Sequence, residues 1–223
     1  MGNKTRSEQA MIQLLELIKE RGYREGKKLP NEYELSELLK VSRNTIREAV
    51  RGLSSRNILE IKQGAGTFIS NKKGVADDPL GFSLVEDEGK LVQDLMEFRC
   101  IIEPQIALLA SQNANDDDIF LLEKLCFEID DIIDNGLDFT TKDIEFHTQL
   151  AKCSKNMVMS NLIPIICEGI TVFSSAVAES EYIQTKKSHR EIFEAVRDKR
   201  GRDAEQAMLF HLLYNKNRYI QQK

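Results

Sequence analysis

From residue 90 onward the apolar residues recur with a helical period, and this pattern restricts the fold more than any other feature of the chain. Helices without intervening strands must bury their apolar stripes against one another. This half is therefore predicted to be an all-α bundle. Short breakers rich in Asn, Gly and Ser separate the predicted helices 90–112, 116–135, 139–153, 157–178, 186–199 and 203–220.

The first seventy residues follow a different order of elements. Apolar periodicity predicts a helix over 6–21, and Pro30 opens a second helix that runs to Leu39. Ser42 is a good N-cap for a third helix, which extends to about Ser54. Strand-like runs at 58–62 and 67–69 then flank a glycine-containing turn. Three helices followed by a hairpin are typical of a winged helix-turn-helix domain, so the chain as a whole is expected to be mostly α.

A polar stretch separates these two parts. It contains Lys-Lys-Gly, Asp-Asp-Pro and Glu-Asp-Glu-Gly runs, with one short apolar segment at Leu80–Val85 that predicts a short helix. The expected organisation is a winged helix-turn-helix domain over 1–73, a linker over 74–89 and an all-helical domain over 90–223.

The net charge of −5 conceals a strong asymmetry. Residues 1–73 contain 15 Lys and Arg against 9 Asp and Glu, a net of +6, whereas residues 74–223 contain 16 against 27, a net of −11. Because phosphate attraction requires positive charge, nucleic-acid binding is expected only at the N-terminal domain.

The cysteines and the apolar runs indicate the cellular setting. The four cysteines are widely spaced without a C-x-x-C pair, which is typical of reduced, mostly buried thiols. No stretch approaches the ~20 apolar residues needed to span a bilayer, and the first residues lack the apolar core of a signal peptide. A soluble, cytoplasmic protein is predicted.

The third helix separates its residues into two faces. The apolar face would lock onto the domain core, and the other face offers forked donors to guanine edges and phosphates in the major groove. Ser42 and the free amides of the helix N-terminus can hold a phosphate, and the Gly64-x-Gly66 turn allows the hairpin tip close to DNA. A basic face on an isolated helix is often only solvated surface, but the neighbouring elements favour DNA binding here. The apolar face comprises Ile46, Ala49, Val50 and Leu53, and the polar face Arg43, Asn44, Arg47 and Arg51.

Three motifs of this domain, Leu29–Glu32, Val41–Val50 and Gln63–Ile69, resemble the GntR family of winged-helix regulators. The resemblance covers essentially the whole domain. It departs from the family at Tyr33, where an arginine that contacts DNA is common. A tyrosine can donate to a phosphate through its hydroxyl but cannot make a bidentate guanine contact. The resemblance implies major-groove contacts by Arg43, Asn44, Thr45 and Arg47, and minor-groove contacts by Gln63 and Gly64.

The chain has three histidines, and each lies on the inward face of its predicted helix. A lone histidine on an apolar face is more often a core residue than a metal ligand. Three of them together with a carboxylate are harder to explain as core alone, and Asp143 and His147 at i, i+4 can chelate one ion as a pair. Three imidazoles and a carboxylate suit zinc, nickel or a similar divalent ion with coordination positions left open.

The helical half also resembles a known ligand-binding domain. Glu97-x-Arg99-x-x-x-Glu103, Asp143-x-x-x-His147, Ser188-His189-x-x-Ile192 and Met208-x-x-His211 are similar to the FCD domain of the FadR subfamily of GntR regulators, over roughly 90–215. The resemblance implies an antiparallel bundle of six or seven helices. It disfavours an acyl-CoA effector, because the subfamily member that binds one lacks this set of residues. By resemblance the metal ligands are Asp143, His147, His189 and His211.

Arg99 lies on the apolar face of its helix with Leu95, Ile102 and Ile106, where an unpaired guanidinium would be costly. Its partner could be Glu103, one turn later, in a structural ion pair. The alternative is an effector carboxylate held bidentately by Arg99 while another of its oxygens binds the metal. The helix at 157–178 contains no Lys, Arg or His, which favours a small mono- or dicarboxylate such as a hydroxy acid or sugar acid.

These features predict a homodimeric transcription regulator that binds double-stranded operator DNA and responds to a small carboxylate effector through a divalent metal ion, with no catalytic residues. Two alternatives remain open at this point. A metal-dependent enzyme fused to a DNA-binding module would use open metal positions for catalysis; the winged helix argues against it and no general base stands out, with only Glu145 and Glu168 left open for that role. A constitutive DNA-binding scaffold would contain the histidines only as core residues.

Overall fold

The computed structural model describes residues 5–72, 74–173 and 182–221. The chain divides into two compact units, Met1–Gly81 and Phe82–Lys223. Each unit encloses an apolar core of its own.

The first unit begins with three helices, each with a side-chain cap. Residues Thr5 and Asn31 form capping boxes at the first two helices, in which the cap side chain and a glutamate three residues later each bind the other's backbone amide. Ser42 Oγ accepts a hydrogen bond from the Thr45 amide at 3.1 Å and caps the third helix. The helices are α1 (Arg6–Glu20), α2 (Glu32–Leu39) and α3 (Arg43–Ser54).

The start of α2 differs from the sequence prediction. The helix begins at Glu32, and Pro30 lies before it. Asn31 has an extended backbone, and its side chain accepts from the Glu34 amide at 3.0 Å, so the cap is one residue after the proline. Proline at the first helical position is common, but here the stronger Asn cap sets the boundary.

A two-stranded antiparallel sheet completes the first unit. Strand β1 (Leu59–Lys62) pairs with β2 (Gly66–Ile69) in a register that sets Leu59 opposite Ile69. The connecting turn carries Gly64 at φ 71°, which favours glycine. Three helices and this wing confirm the predicted winged helix-turn-helix. Its buried core comprises Leu14, Leu29, Leu35, Ile46, Val50, Leu53 and Leu59.

The second unit is helical throughout its described residues apart from turns. A three-residue 3-10 helix at Phe82–Leu84 lies within the segment predicted as a short helix. The α-helices that follow are α4 (Glu88–Asn113), α5 (Asp116–Asp134), α6 (Thr140–Cys153), α7 (Met157–Phe173), α8 (Tyr182–Arg197) and α9 (Gly201–Gln221).

Side-chain contacts give the relative direction of the two longest helices. Lys216 Nζ of α9 lies 3.7 Å from Glu97 Oε2 of α4, and Glu205 of α9 accepts a hydrogen bond from Gln105, two turns further along α4. The later residue of α4 thus meets the earlier residue of α9, so the two helices are antiparallel. Phe146 of α6 and Phe193 of α8 are fully buried between the helices. The predicted all-α antiparallel bundle is confirmed.

Two helix boundaries depart from prediction. Helix α8 begins at Tyr182, four residues before the expected start, because residues 182–185 contain no glycine or proline to stop the helical period. Helix α7 is described to Phe173, and the predicted continuation through 178 lies outside the described residues. Across the described ranges, every helix is too short or too polar to qualify as a bilayer span.

Candidate metal centre and DNA-binding surface

Three helices of the second unit bring the four predicted metal ligands to one point. Helix α6 supplies Asp143 and His147, which lie on one face because they are four residues apart. Helix α8 supplies His189, and α9 supplies His211. One ligand atom from each residue lies within 4.8 Å of the others. This is the spacing from which four side chains can converge on a single ion.

The three imidazoles are enclosed, with at most 3% of each residue exposed. His147 Nε2 and both ring nitrogens of His189 have no hydrogen-bond partner. His189 Nε2 lies 3.1 Å from Asp143 Oδ1, and His147 Nε2 lies 3.7 Å from Asp143 Oδ2, but neither pair has hydrogen-bond geometry. Buried polar atoms without partners are costly and call for an ion or water. A divalent ion fits this donor set.

Contacts outside the cluster orient His147. Its Nδ1 contacts Oε2 of the buried Glu103 of α4. An ionised carboxylate can only accept, so Nδ1 carries a proton, and in the neutral ring Nε2 keeps the lone pair, 3.7 Å from Asp143 Oδ2. Carboxylate partners of this kind are common behind metal-binding histidines.

Ser188 orients His211 as Glu103 orients His147, through a hydrogen bond at Nδ1. The Ser188 hydroxyl donates to the Thr185 carbonyl at 3.1 Å, so it accepts from His211 Nδ1–H at 2.8 Å. The Nε2 atom of His211 therefore keeps its lone pair. The Asn215 side-chain amide, one turn later on α9, donates to that nitrogen at 3.3 Å, so an ion bound at Nε2 would displace this hydrogen bond.

Arg99 is buried on α4 and meets Glu103, the structural partner anticipated from the sequence. Arg99 Nε donates to Glu103 Oε1, while Arg99 Nη2 is buried without a hydrogen-bond partner. Burial alone would raise the pKa of Glu103, but Arg99 and then His147 outweigh it and lower that pKa to about 2. Glu103 is therefore an anion shared between the guanidinium and the imidazole.

Two of the four ligands, Asp143 and His211, are held in the protonation states that bind cations. Burial tends to raise the pKa of Asp143, but the neighbouring imidazoles, His147 first, lower it well below its usual range. Burial lowers the pKa of His211 far below its ordinary value, and the other two histidines add to this effect. An ionised carboxylate next to a neutral imidazole is the state that a divalent metal ion requires.

The two candidate general bases are both exposed, unlike the buried histidines. Glu145 is exposed and forms an ion pair with Lys142 at 2.7 Å. Glu168 of α7 is exposed as well.

The side-chain contacts around the ligands were not predicted from the sequence. Glu103 was considered only as a partner for Arg99, and Ser188 and Asn215 were not assigned roles. A signal existed for two of them, because Ser188 directly precedes His189 and Asn215 is one helical turn from His211.

The first unit places the predicted DNA-contacting residues at two positions on its surface. Those of α2 and α3 include Tyr33, which is 60% exposed, and Ser42, whose hydroxyl caps α3. Arg43, Asn44 and Arg47 are exposed and Thr45 is half-buried, while the opposite face of α3 is buried. Exposed Gln63 and Gly64 form the hairpin tip. The two-faced division predicted for α3 is present.

The two principal arginines of α3 differ in their contacts. Arg47 donates through Nε and Nη2 to both oxygens of Glu32 on α2, at 3.1 and 2.8 Å. Among the residues that the structure describes, Arg43 forms no ion pair. The pairing with Glu32 was not predictable from the sequence, because it depends on how α2 packs on α3.

Comparison with known proteins is consistent with this architecture. Residues 6–69 match the family of bacterial regulatory proteins named gntR, and residues 94–213 match the FCD domain family. The chain is 32% identical to the galactonate operon transcriptional repressor of Escherichia coli K12, over 84% of this chain and 85% of that protein. It is 28% identical to the HTH-type transcriptional regulator LutR of Bacillus subtilis, over 88% and 93% respectively.

A solved structure of the Streptococcus agalactiae GntR protein is similar with a TM-score of 0.87 and 47% sequence identity, over 95% of this chain and 99% of that one. A winged helix-turn-helix domain followed by an all-helical FCD domain defines a class of DNA-binding transcription regulators. The chain belongs to the GntR family, with a C-terminal FCD domain. As a member of this family it is an operator-binding transcription regulator and not an enzyme.

Proposed function

We propose that this regulator binds a divalent metal ion through Asp143, His147, His189 and His211, and that a small carboxylate effector at this ion controls operator binding by a homodimer. The observation that carries the proposal is the convergence of four ligand atoms within 4.8 Å, with buried ring nitrogens that lack partners. Zinc and nickel suit three nitrogens and one oxygen. When bound, the ion would supply a Lewis-acidic centre for an effector oxygen.

Arg99 is the proposed second anchor of the effector. Its Nη2 is buried without a partner, so it has donors available beyond those used by Glu103. A carboxylate that contacts Arg99 would satisfy them. Helix α7 contains no Lys, Arg or His, so a highly charged anion would find little compensation there.

A hydroxy acid or sugar acid suits this combination, because a carboxylate and a neighbouring hydroxyl can engage both Arg99 and a metal ion. The Escherichia coli relative is named for a galactonate operon, and galactonate has both groups. Galactonate is therefore the first effector to test.

On the DNA side, we propose that the α3 surface enters the major groove and the wing tip the minor groove. The exposure of the arginines and the polar turn at Gln63 and Gly64 support this assignment. Two such units in a dimer would read half-sites one helical turn apart, ~34 Å. Binding of the metal and carboxylate would fix the packing of the C-terminal helices and so reset the spacing of the two recognition helices. The proposed DNA-contacting residues are Tyr33, Ser42, Arg43, Asn44, Thr45, Arg47, Gln63 and Gly64.

A thermal-shift screen of the full chain tests the sensing half. Zn²⁺ and Ni²⁺ are added with and without a chelator, followed by a panel of carboxylic acids that begins with galactonate. We expect a stabilising acid whose effect disappears after chelation and also in the Arg99→Gln variant. Glu145→Gln, an exposed change on α6, should respond as the wild type does. A protein that purifies without a divalent ion and melts unchanged after chelation would instead indicate that the histidines are only core.

A further inference from the structure

Glu103 joins two groups that the proposed function treats separately. It lies on α4, is 1% exposed, and divides its two oxygens between Arg99 Nε and His147 Nδ1. Both partners are buried. A single carboxylate thus contacts the proposed effector anchor and a proposed metal ligand.

We propose that Glu103 is a positioning residue that fixes the tautomer of His147 for metal binding and, by sharing its charge with Arg99, makes metal affinity depend on what Arg99 contacts. This inference rests on the proposed metal site. It assigns Glu103 a role beyond the structural ion pair with Arg99.

The tautomer argument follows from the hydrogen-bonding capacity of each group. An ionised carboxylate has no proton to donate, so the contact requires His147 to carry hydrogen on Nδ1. In the neutral ring, the form that binds a metal ion, the lone pair is then on Nε2, the nitrogen 3.7 Å from Asp143 Oδ2. If the proton moved to Nε2, the ring would present a donor to the cluster and could not ligate a cation there. Partners of this type commonly contribute a factor of about 10 to 100 in metal affinity.

The dependence on Arg99 follows from competition for one charge. While Arg99 donates to Oε1, part of the negative charge of Glu103 is directed away from His147. If a ligand anion engaged Arg99, or the guanidinium were removed, Glu103 would polarise His147 more strongly. The basicity of Nε2 would rise, and with it the affinity for a cation. An anion on Arg99 and an ion on His147 would therefore favour each other.

Glu103→Gln separates this role from packing, because it preserves the size of the side chain. The glutamine has one acceptor, but Arg99 and His147 Nδ1–H are both donors, so its NH₂ group must face one of them. Facing His147, it would donate to Nδ1 and favour the tautomer with hydrogen on Nε2. We expect Zn²⁺ affinity, measured in the full chain by competition with a chromophoric chelator, to fall by about 10- to 100-fold. Glu103→Asp, which retains the charge with a shorter reach, should recover part of the loss.

A second readout is the His147 tautomer itself, measured in metal-free protein by ¹⁵N NMR of the imidazoles. Only three histidines need to be assigned, so single-histidine variants suffice. We expect the proton on Nδ1 in the wild type and a shift toward Nε2 in Glu103→Gln. Glu145→Gln is the matched control for removal of one carboxylate charge and should match the wild type in both measurements. Circular dichroism of each metal-free variant verifies the fold.

A double-mutant cycle with Zn²⁺ as the probe tests the dependence on Arg99. With Glu103 present, Arg99→Gln should increase the affinity for Zn²⁺. In the Glu103→Gln background the same change should increase that affinity by a factor at least about twofold smaller. Equal gains in both backgrounds would overturn the proposed coupling.

Two results separate the inference from the function on which it rests. If the wild type binds no metal, the proposed function fails. If it binds Zn²⁺ and Glu103→Gln binds as tightly, or loses affinity without any change of tautomer, the role of Glu103 is wrong while the metal site stands.

Discussion

The two units of this regulator hold their polar chemistry in opposite environments. On α3 of the first unit, the arginines and Asn44 face solvent, and the face behind them is fully apolar. In the second unit the three histidines are at most 3% exposed and lie inside the core, where the Phe146 ring packs against His189 and meets His147 edge-on.

This difference separates binding from stability in one unit and couples them in the other. Exposed side chains stay hydrated whether or not the ligand is present, so replacing them changes affinity and leaves the fold nearly unaffected. Enclosed polar atoms must find partners inside the protein, so ligand binding there also stabilises the fold. The comparison predicts graded effects, of which the largest should occur in the helical unit.

The largest expected effect is that of truncating Phe146. Its ring is fully buried, with its centroid 4.5 Å from that of His189 and 5.7 Å from that of His147. Phe146→Ala should lower the free energy of unfolding by about 3–5 kcal/mol, because it leaves a cavity beside the cluster. Denaturant titration of metal-free protein measures the loss.

Phe120→Ala is the matched control, because Phe120 of α5 is 65% exposed. Its cost should stay within about 0.5 kcal/mol. Similar losses in the two variants would contradict the view that the histidine cluster is packed within the buried core of the helical unit.

Most of the helices could be predicted from the sequence, because periodicity is a property of each helix alone. The same holds for the faces on which Asp143, His147, His189 and His211 lie. The cap at Asn31 was missed since proline was preferred as the first residue, and a local hydrogen bond decides between them.

Contacts between helices were much less predictable. Glu103 and His147 are 44 residues apart in the chain, and Glu32 and Arg47 are 15 apart. Periodicity indicates which side of a helix is inward but not which residue of another helix it meets. Those contacts depend on helix rotation and packing, which are set by the whole core.

The second prediction concerns DNA affinity. Arg43→Ala and Arg47→Ala should each weaken binding to an operator selected from a random duplex pool by roughly 5- to 150-fold, because bidentate contacts to base edges are lost. Their melting temperatures should match that of the wild type. Electrophoretic mobility shift or fluorescence anisotropy at fixed salt gives the affinities.

Arg202→Ala, an exposed arginine of α9, is the matched control and should bind the operator normally. If both α3 variants retained full affinity, α3 would not be the recognition helix. If their melting temperatures fell as much as that of Phe146→Ala, the binding residues of both units would contribute to stability and the proposed difference between the units would be wrong.

The third prediction is a pH dependence confined to the helical unit. Burial lowers the pKa of His211 well below its ordinary value of 6.5. Below pH 6.5 the unfolded chain therefore binds a proton that the folded chain does not, and stability falls as the pH falls. The slope should approach about 1.4 kcal/mol per pH unit for one proton.

Urea titrations of metal-free protein between pH 7.5 and 5 measure this slope, and His211→Asn should flatten it. The carboxylate of Glu103 does not interfere, because its pKa is lowered to about 2 and its contribution is lost only at more acidic pH, below about 4. A wild-type stability that is constant or rises toward pH 5 would contradict a buried neutral His211.

The smallest expected effect distinguishes a cap from a DNA contact within the first unit. Ser42 and Asn31 both cap helices through one side-chain hydrogen bond, at 3.1 and 3.0 Å. Replacing either by alanine should cost about 1 kcal/mol of stability. Only Ser42 is predicted to hold a DNA phosphate as well, so Ser42→Ala should also weaken DNA binding by about 2- to 10-fold.

Loss of a phosphate contact has a recognisable signature, because phosphates carry no sequence information. Ser42→Ala should weaken operator and random-sequence DNA by the same factor, and the salt dependence should not change since the hydroxyl is neutral. Asn31→Ala should leave both affinities intact. If Asn31→Ala weakened DNA binding as much as Ser42→Ala does, the effect would come from order at the helix ends, and the division between an exposed binding surface and the fold beneath it would not hold even in the first unit.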